Sequence, residues 1–136
     1  MTSGAQFHTF SSLDEVSLEA HADTIDWVES DGVRLALHVW ASPSPRAAIF
    51  YIHGIQSHAG WLLETAPRLV EREIAVAVMD RRGSGVSEGG RGDAESASQL
   101  VSDYLLGLAL VRQRYARLPV TLLGQSFGGS LAAAVA

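Results

Sequence analysis

Three short stretches of this chain carry residue types that do chemistry: His53-Gly54-Ile55-Gln56-Ser57-His58, Asp80-Arg81-Arg82-Gly83-Ser84-Gly85-Val86-Ser87, and Gly124-Gln125-Ser126-Phe127-Gly128. The third is the most informative. Ser126 follows an apolar run of β-formers, Val120 to Leu123, and precedes a run of small helix formers, Gly129 to Ala136. The order strand, sharp turn, helix presents a serine hydroxyl away from a sheet, where it can act as a nucleophile. Such a turn strains the serine backbone, and glycines two before and two after it, Gly124 and Gly128, let strand and helix approach without Cβ clashes. The competing reading is an ordinary strand-to-helix turn. A second Gly-x-Ser-x-Gly, Gly85 to Gly89, fails on context, because no helical run follows it, and Ser87 reads as a loop residue.

A serine hydroxyl is a poor nucleophile without a base to take its proton, and acyl transfer also needs N–H groups aimed at the developing oxyanion. The turn supplies one donor from the residue after the serine, Phe127. The loop after the first buried strand supplies the other, and Ile55, just past His53-Gly54, is the natural position, with Gly54 permitting close backbone approach. His53 is read as structural rather than catalytic, since its side chain precedes that loop. His58 is read either as a pocket residue or as a surface one.

These stretches must be held by strands and helices. Thr24 to Ser30 and Val33 to Trp40 flank Asp31-Gly32, a strong hairpin signal. Val33, Leu35, Leu37 and Val39 alternate with Arg34, Ala36, His38 and Trp40, which predicts one buried face and places His38 half exposed on the other. Ala47 to Ile52, Ile74 to Met79 and Val120 to Leu123 are continuous apolar runs, expected as strands covered on both faces. Helices are expected from about Trp61 to Arg72, with Leu62, Ala66, Leu69 and Val70 as a stripe, and from about Glu95 to Arg117, with Leu100, Tyr104, Leu108 and Val111 inward. Residues 1–22 read as a flexible leader, with a capping-box pattern at Ser12 to Glu15. Residues 23–136 read as one α/β domain, an antiparallel hairpin feeding a mainly parallel sheet with flanking helices. Ligands of such sheets sit beyond the carboxyl ends of the strands, where all three stretches fall.

Composition narrows the classes. The chain has 136 residues, 47% hydrophobic, with net charge −5. Its ten cationic residues are all arginine, which excludes a lysine Schiff base and a phosphate-loop lysine. No basic cluster suggests nucleic acid, and the absence of cysteine excludes disulfides and thiolate metal sites. Neither a cofactor nor a metal is expected. No secretory signal and no membrane-spanning stretch is recognisable, so a cytoplasmic protein is expected.

Taken together, the three stretches resemble, in order and spacing, those of α/β-hydrolases. They are most similar to the monoacylglycerol lipase, lysophospholipase and serine aminopeptidase-like branch, over roughly Thr24 to Ala136. The resemblance implies Ser126 as nucleophile, Ile55 and Phe127 as oxyanion donors, structural roles for His53, Asp80 and Arg82, and a small acyl ester as substrate. It also implies a catalytic acid and histidine after the nucleophile. None is present: no Asp, Glu or His follows Ser126. A triad from Asp80 or Asp103 with an upstream histidine would need an unprecedented rearrangement. Two readings stand. In one, the chain is the N-terminal half of a serine ester hydrolase whose acid and histidine lie elsewhere. In the other, it is a non-catalytic binding or interaction module. On the first reading the strand before Ser126 is left as an open apolar edge, and self-association is expected.

Overall fold

The computed structural model describes residues 21–136. The capping box at Ser12 to Glu15 and nearly all of the expected leader lie outside the described residues; of the leader's last residues, Ala22 packs against the core.

Five strands and three α-helices follow in the order β1 (Thr24–Ser30), β2 (Val33–Trp40), β3 (Ala47–Ile52), α1 (Thr65–Val70), β4 (Ile74–Met79), α2 (Ala97–Arg114), β5 (Val120–Gly124) and α3 (Phe127–Val135). A short 3-10 helix, Ala59–Leu62, precedes α1. The hairpin forms where expected: Asp31 and Gly32 have φ of 47° and 74°, the two left-handed positions of a type I′ turn. It pairs Ser30 with Val33 and continues to Thr24 opposite Val39.

The sheet order is β1-β2-β4-β3-β5, antiparallel through β1, β2 and β4 and parallel through β4, β3 and β5. Helices cover both faces. Phe50, Ile52, Ala77, Met79, Leu35 and Leu37 face α2 and α3, meeting Leu100, Tyr104, Leu108, Val111, Leu131 and Val135. Val76, Val78 and Trp40 face α1, meeting Ala59, Leu62 and Ala66.

Three expectations are corrected. The helix from Trp61 to Arg72 is two pieces, because Pro67 has no N–H and is tolerated only in a first turn, which sets the start of α1 at Thr65. The second face of β2 is buried, since Ala36 and His38 are fully inaccessible and Trp40 nearly so. Trp40 lies under the 3-10 helix and α1, elements whose position the alternation in β2 does not reveal. β5 has the open edge expected for it, but its faces are not both covered: residues 120–124 alternate half-buried and exposed, and Leu123 is 47% exposed. α2 keeps its predicted inward residues, and Ser96 caps it by accepting from the Gln99 N–H at 3.1 Å.

Candidate active site

β3 is the strand at which the chain changes direction: β4 is laid on one side of it and β5 on the other. Loops leaving the carboxyl ends there diverge and open a crevice. The parallel register sets Ile52 level with Gly124, so the loop at His53 and the turn at Ser126 emerge side by side. The Gln125 N–H donates to Ile52 O at 3.2 Å, and the Tyr51 hydroxyl donates to Gln125 Oε1.

Ser126 sits between β5 and α3 with φ 54° and ψ −124°, a backbone conformation that residues other than glycine rarely adopt. Its side chain is exposed. The glycines beside it are sterically required. A Cβ on Gly124 would lie 2.3 Å from Gly128 O, and one on Gly128 would lie 2.0 Å from Ile52 O. Gly54 differs. A Cβ there would meet Gln125 O at 3.7 Å and Ser126 Cβ at 3.9 Å, ordinary contacts, so the close approach of this loop to Ser126 does not by itself require glycine. Neither the Ile55 nor the Phe127 N–H has an acceptor among the loop hydrogen bonds of the described residues.

Beneath these turns lies a buried polar network. The Asp80 carboxylate accepts from His38 Nε2 at 2.8 Å, Ala59 N–H at 2.7 Å and Val86 N–H at 3.0 Å. Burial alone would raise its pKa, but the His38 hydrogen bond and charge and the two amides outweigh burial and hold it below the ordinary carboxylate value. His53 is fully inaccessible. Its Nε2 accepts the Arg81 N–H at 2.9 Å, so Nδ1 carries the proton and donates to Gly54 O at 2.8 Å. Burial is the main cause that drives its pKa down to about 4. His58 caps the 3-10 helix, its Nδ1 accepting from Gly60 N–H at 3.1 Å, and burial lowers its pKa too.

Arg82 turns the other way, toward α2. It binds Asp103 with Nε and Nη2, both at 2.9 Å, and Ser30 O at 3.1 Å, while the Ser30 hydroxyl donates to Asp103 at 2.6 Å. Ser87 is a buried loop residue, donating to Asp80 O at 2.6 Å and accepting from Ala36 N–H at 2.9 Å. Ile55 and Trp61 are both exposed and share a cleft of ≈ 680 Å³ with His58 and Arg91. Ile55 also borders a cleft of ≈ 320 Å³ with Phe127, Arg81 and Leu100.

The structure therefore sets Ile55 and Phe127 on one cleft and Gly54 beside Ser126, with His53 and Asp80 buried behind the loops and Arg82 set against α2. No histidine hydrogen-bonds Ser126 among the described residues. His38 and Arg81 were not legible as site residues, and Asp103, weighed as a triad acid, instead holds Ser30 and Arg82. The signal for Arg81 was its place directly after Asp80 at the end of a buried strand, where a guanidinium must find acceptors or reach water.

A mixed sheet flanked by helices on both faces, with a strained serine turn after the strand next to the switch strand, is an α/β-hydrolase architecture. The profile of the serine aminopeptidase S33 family matches residues 43–136, and the chain belongs to that family. Over 105 residues it is 36% identical to the monoglyceride lipase of Rattus norvegicus, covering 76% of this chain and 35% of that protein. It therefore spans about a third of that relative's length. In fold it is similar to a carboxyl esterase from Bacillus coagulans, with a TM-score of 0.73, 21% identity, and 82% and 39% of the two chains covered. It is also similar to a soluble variant of the Saccharomyces cerevisiae monoglyceride lipase, with a TM-score of 0.68, 20% identity, and 79% and 36% covered. Among the described residues, no helix is long and apolar enough to cross a membrane.

Proposed function

We propose that the chain is the nucleophile-bearing part of a serine ester hydrolase acting on a small acyl ester of acyl-glycerol or lysophospholipid type. Ser126 attacks the ester carbonyl, and the Ile55 and Phe127 N–H groups receive the oxyanion. His53, Asp80, Gly124 and Gly128 support the turns, Gly54 begins the loop beside Ser126, and Arg82 ties the glycine-rich loop to α2 and the hairpin. The observation that carries this reading is the strained, exposed Ser126 at φ 54°, ψ −124°, with Gly54 of the neighbouring loop packed beside it. Strain of that kind persists only where the surroundings enforce it, and it concentrates at functional positions. The 36% identity to a monoglyceride lipase supports the ester class.

Proton transfer from Ser126 needs a histidine, and that histidine needs an orienting carboxylate. We place both in further sequence of the same enzyme, in keeping with the third of the relative's length that this chain spans. The test is the initial rate on p-nitrophenyl butyrate for three proteins: the 136-residue chain, the complete translation product of its gene, and that product with Ser126→Ala. The expected result is turnover by the complete product alone, with loss of roughly 10⁴-fold or more on Ser126→Ala. A second reading, a binding module without catalysis, is favoured by the lack of any histidine on Ser126 among the described residues. An inert complete product would put that reading first.

A further inference from the structure

The Arg81 side chain joins the two turns that carry the proposed oxyanion donors. It is 6% exposed, and among the described residues no carboxylate lies within salt-bridge distance of it. Its hydrogen-bond acceptors are carbonyls, a ring lies against it, and the Tyr104 hydroxyl is near enough to feel its charge. Nη1 donates to Gly54 O at 3.2 Å and, at 3.4 Å, to His53 O, while Nη2 donates to Ile55 O at 2.6 Å. The guanidinium carbon stands 5.4 Å from the centroid of the Phe127 ring.

A buried cation without a counter-ion is costly to keep, even when its N–H groups are satisfied. What it gains here is control of one peptide plane. Gly54 C=O and Ile55 N–H belong to the same planar trans peptide and point in opposite directions. Three donors converge on the Gly54 oxygen: His53 Nδ1 at 2.8 Å, Arg81 Nη1 at 3.2 Å and the Ser57 N–H at 3.3 Å. Held there, the oxygen faces the protein, and the Ile55 N–H is turned to the open side of the loop. A carbonyl bonded to a cation also polarises its own amide, which strengthens the N–H as a donor. The same guanidinium lies over Phe127, whose N–H is the second donor, so one side chain sets the spacing of both.

We propose that Arg81 is a positioning residue for the oxyanion hole. Its guanidinium fixes the Gly54–Ile55 peptide plane, holds the Phe127 turn beside it, and places a positive charge beneath the developing oxyanion. The proposal rests on the ester-hydrolase reading of Ser126.

Its test is kinetic and spectroscopic. The complete translation product is assayed on p-nitrophenyl butyrate as wild type, Arg81→Gln, Arg81→Lys and Ser126→Ala, and amide spectra of the same ¹⁵N-labelled product are recorded as wild type and with each Arg81 variant. Losing one oxyanion donor lowers kcat by about 10²–10³-fold, so misaiming one is expected to cost about 30-fold in kcat, with KM changed by less than about twofold. Arg81→Lys is expected to fall by about tenfold, because an ammonium keeps the charge but cannot span two carbonyls while stacking on a ring. The Ile55 amide resonance should shift in both variants, while those of the β1–β2 hairpin stay in place. Should Arg81→Gln fail to fold, Arg81→Lys decides: a kcat and an Ile55 amide equal to wild type overturn the proposal. So does an Arg81→Gln protein that melts earlier yet keeps both. If the wild-type product is itself inert, the hydrolase reading fails, and an unmoved Ile55 amide would separately remove Arg81 from control of the loop.

Discussion

Asp80 and Ser126 each stand just beyond the carboxyl end of a parallel strand, yet their surroundings differ throughout. Asp80 is inaccessible and accepts three hydrogen bonds from three elements: β2, the 3-10 helix and the glycine-rich loop. Around it, His53, Arg81 and Ser87 are buried and bonded as well. Ser126 is exposed, its backbone is strained, and the strand that leads to it has a free outer side among the described residues. The floor of the site is finished and its wall is open. Stability is concentrated under the loops, and the proposed nucleophile stands where the fold is least satisfied, the division expected when strain serves function.

The largest expected effect lies on the floor. Asp80→Ala leaves His38 Nε2 and two amide donors without their shared acceptor in a dry interior. Breaking a buried pair of this kind costs roughly 3–5 kcal/mol. Ser126→Ala, by contrast, should change stability by less than about 0.5 kcal/mol, as exposed side chains without partners do. Urea unfolding of both variants tests the contrast. Equal losses would mean that the two regions are energetically alike.

Acid should reach the floor before the wall. The folded pKa of His53 is about 4, against an ordinary value of 6.5, because burial opposes the charge. Between those values the unfolded chain binds more protons than the folded one, so stability rises with pH across that window and is lost as pH falls from 6.5 to 4. The integrated loss is about 3 kcal/mol. Asp80 adds to it at lower pH: its folded pKa is depressed, so its contribution is present above the ordinary carboxylate value of 3.8 and is lost as pH falls through the folded value. Denaturation midpoints at pH 7 and pH 4.5 should therefore differ strongly in the wild type and much less in His53→Gln. An unchanged slope in the variant would move the proton elsewhere.

At the elbow the expected sign reverses. Ser126→Gly relieves a φ of 54° that a Cβ disfavours, and should raise stability by about 1 kcal/mol while deleting the hydroxyl. A destabilised glycine variant would mean that Ser126 is held by contacts rather than by strain.

The contrast also separates what the sequence discloses from what it does not. The elbow was legible because its signals are local: an apolar run, two glycines at fixed offsets and a small-residue helix. The hairpin was legible for the same reason, in Asp31-Gly32. The floor was not, because its contacts are long-range. His38 reads as half exposed from the alternation in β2, yet it is fully buried and its partner Asp80 lies 42 residues on. Asp103 is one acid on a long helix until the fold brings Ser30 and Arg82 to it. Arg81-Arg82 reads as a short basic run, and nothing in adjacency tells that one guanidinium turns to β3's loop and the other to α2.

The smallest effect on the folded monomer concerns the free side of β5. Leu123 is 47% exposed on a strand whose inner neighbour is β3 and whose outer side has no strand among the described residues. We propose that the 136-residue chain self-associates through this edge, since unpaired backbone groups beside apolar side chains form a template for another strand. A lysine on such an edge opposes pairing by charge and by its need for water. Leu123→Lys should therefore change the urea midpoint little, within about 0.5 kcal/mol, because the side chain is already half in water. Its sedimentation should change much more, from an associating species at tens of micromolar, roughly where open edges act, to a monomer. Thr121→Lys, also exposed on the same strand, should act alike. If the wild-type chain sediments as a monomer at that concentration, the wall is less open than its edge suggests, and the contrast with the floor narrows to Ser126 alone.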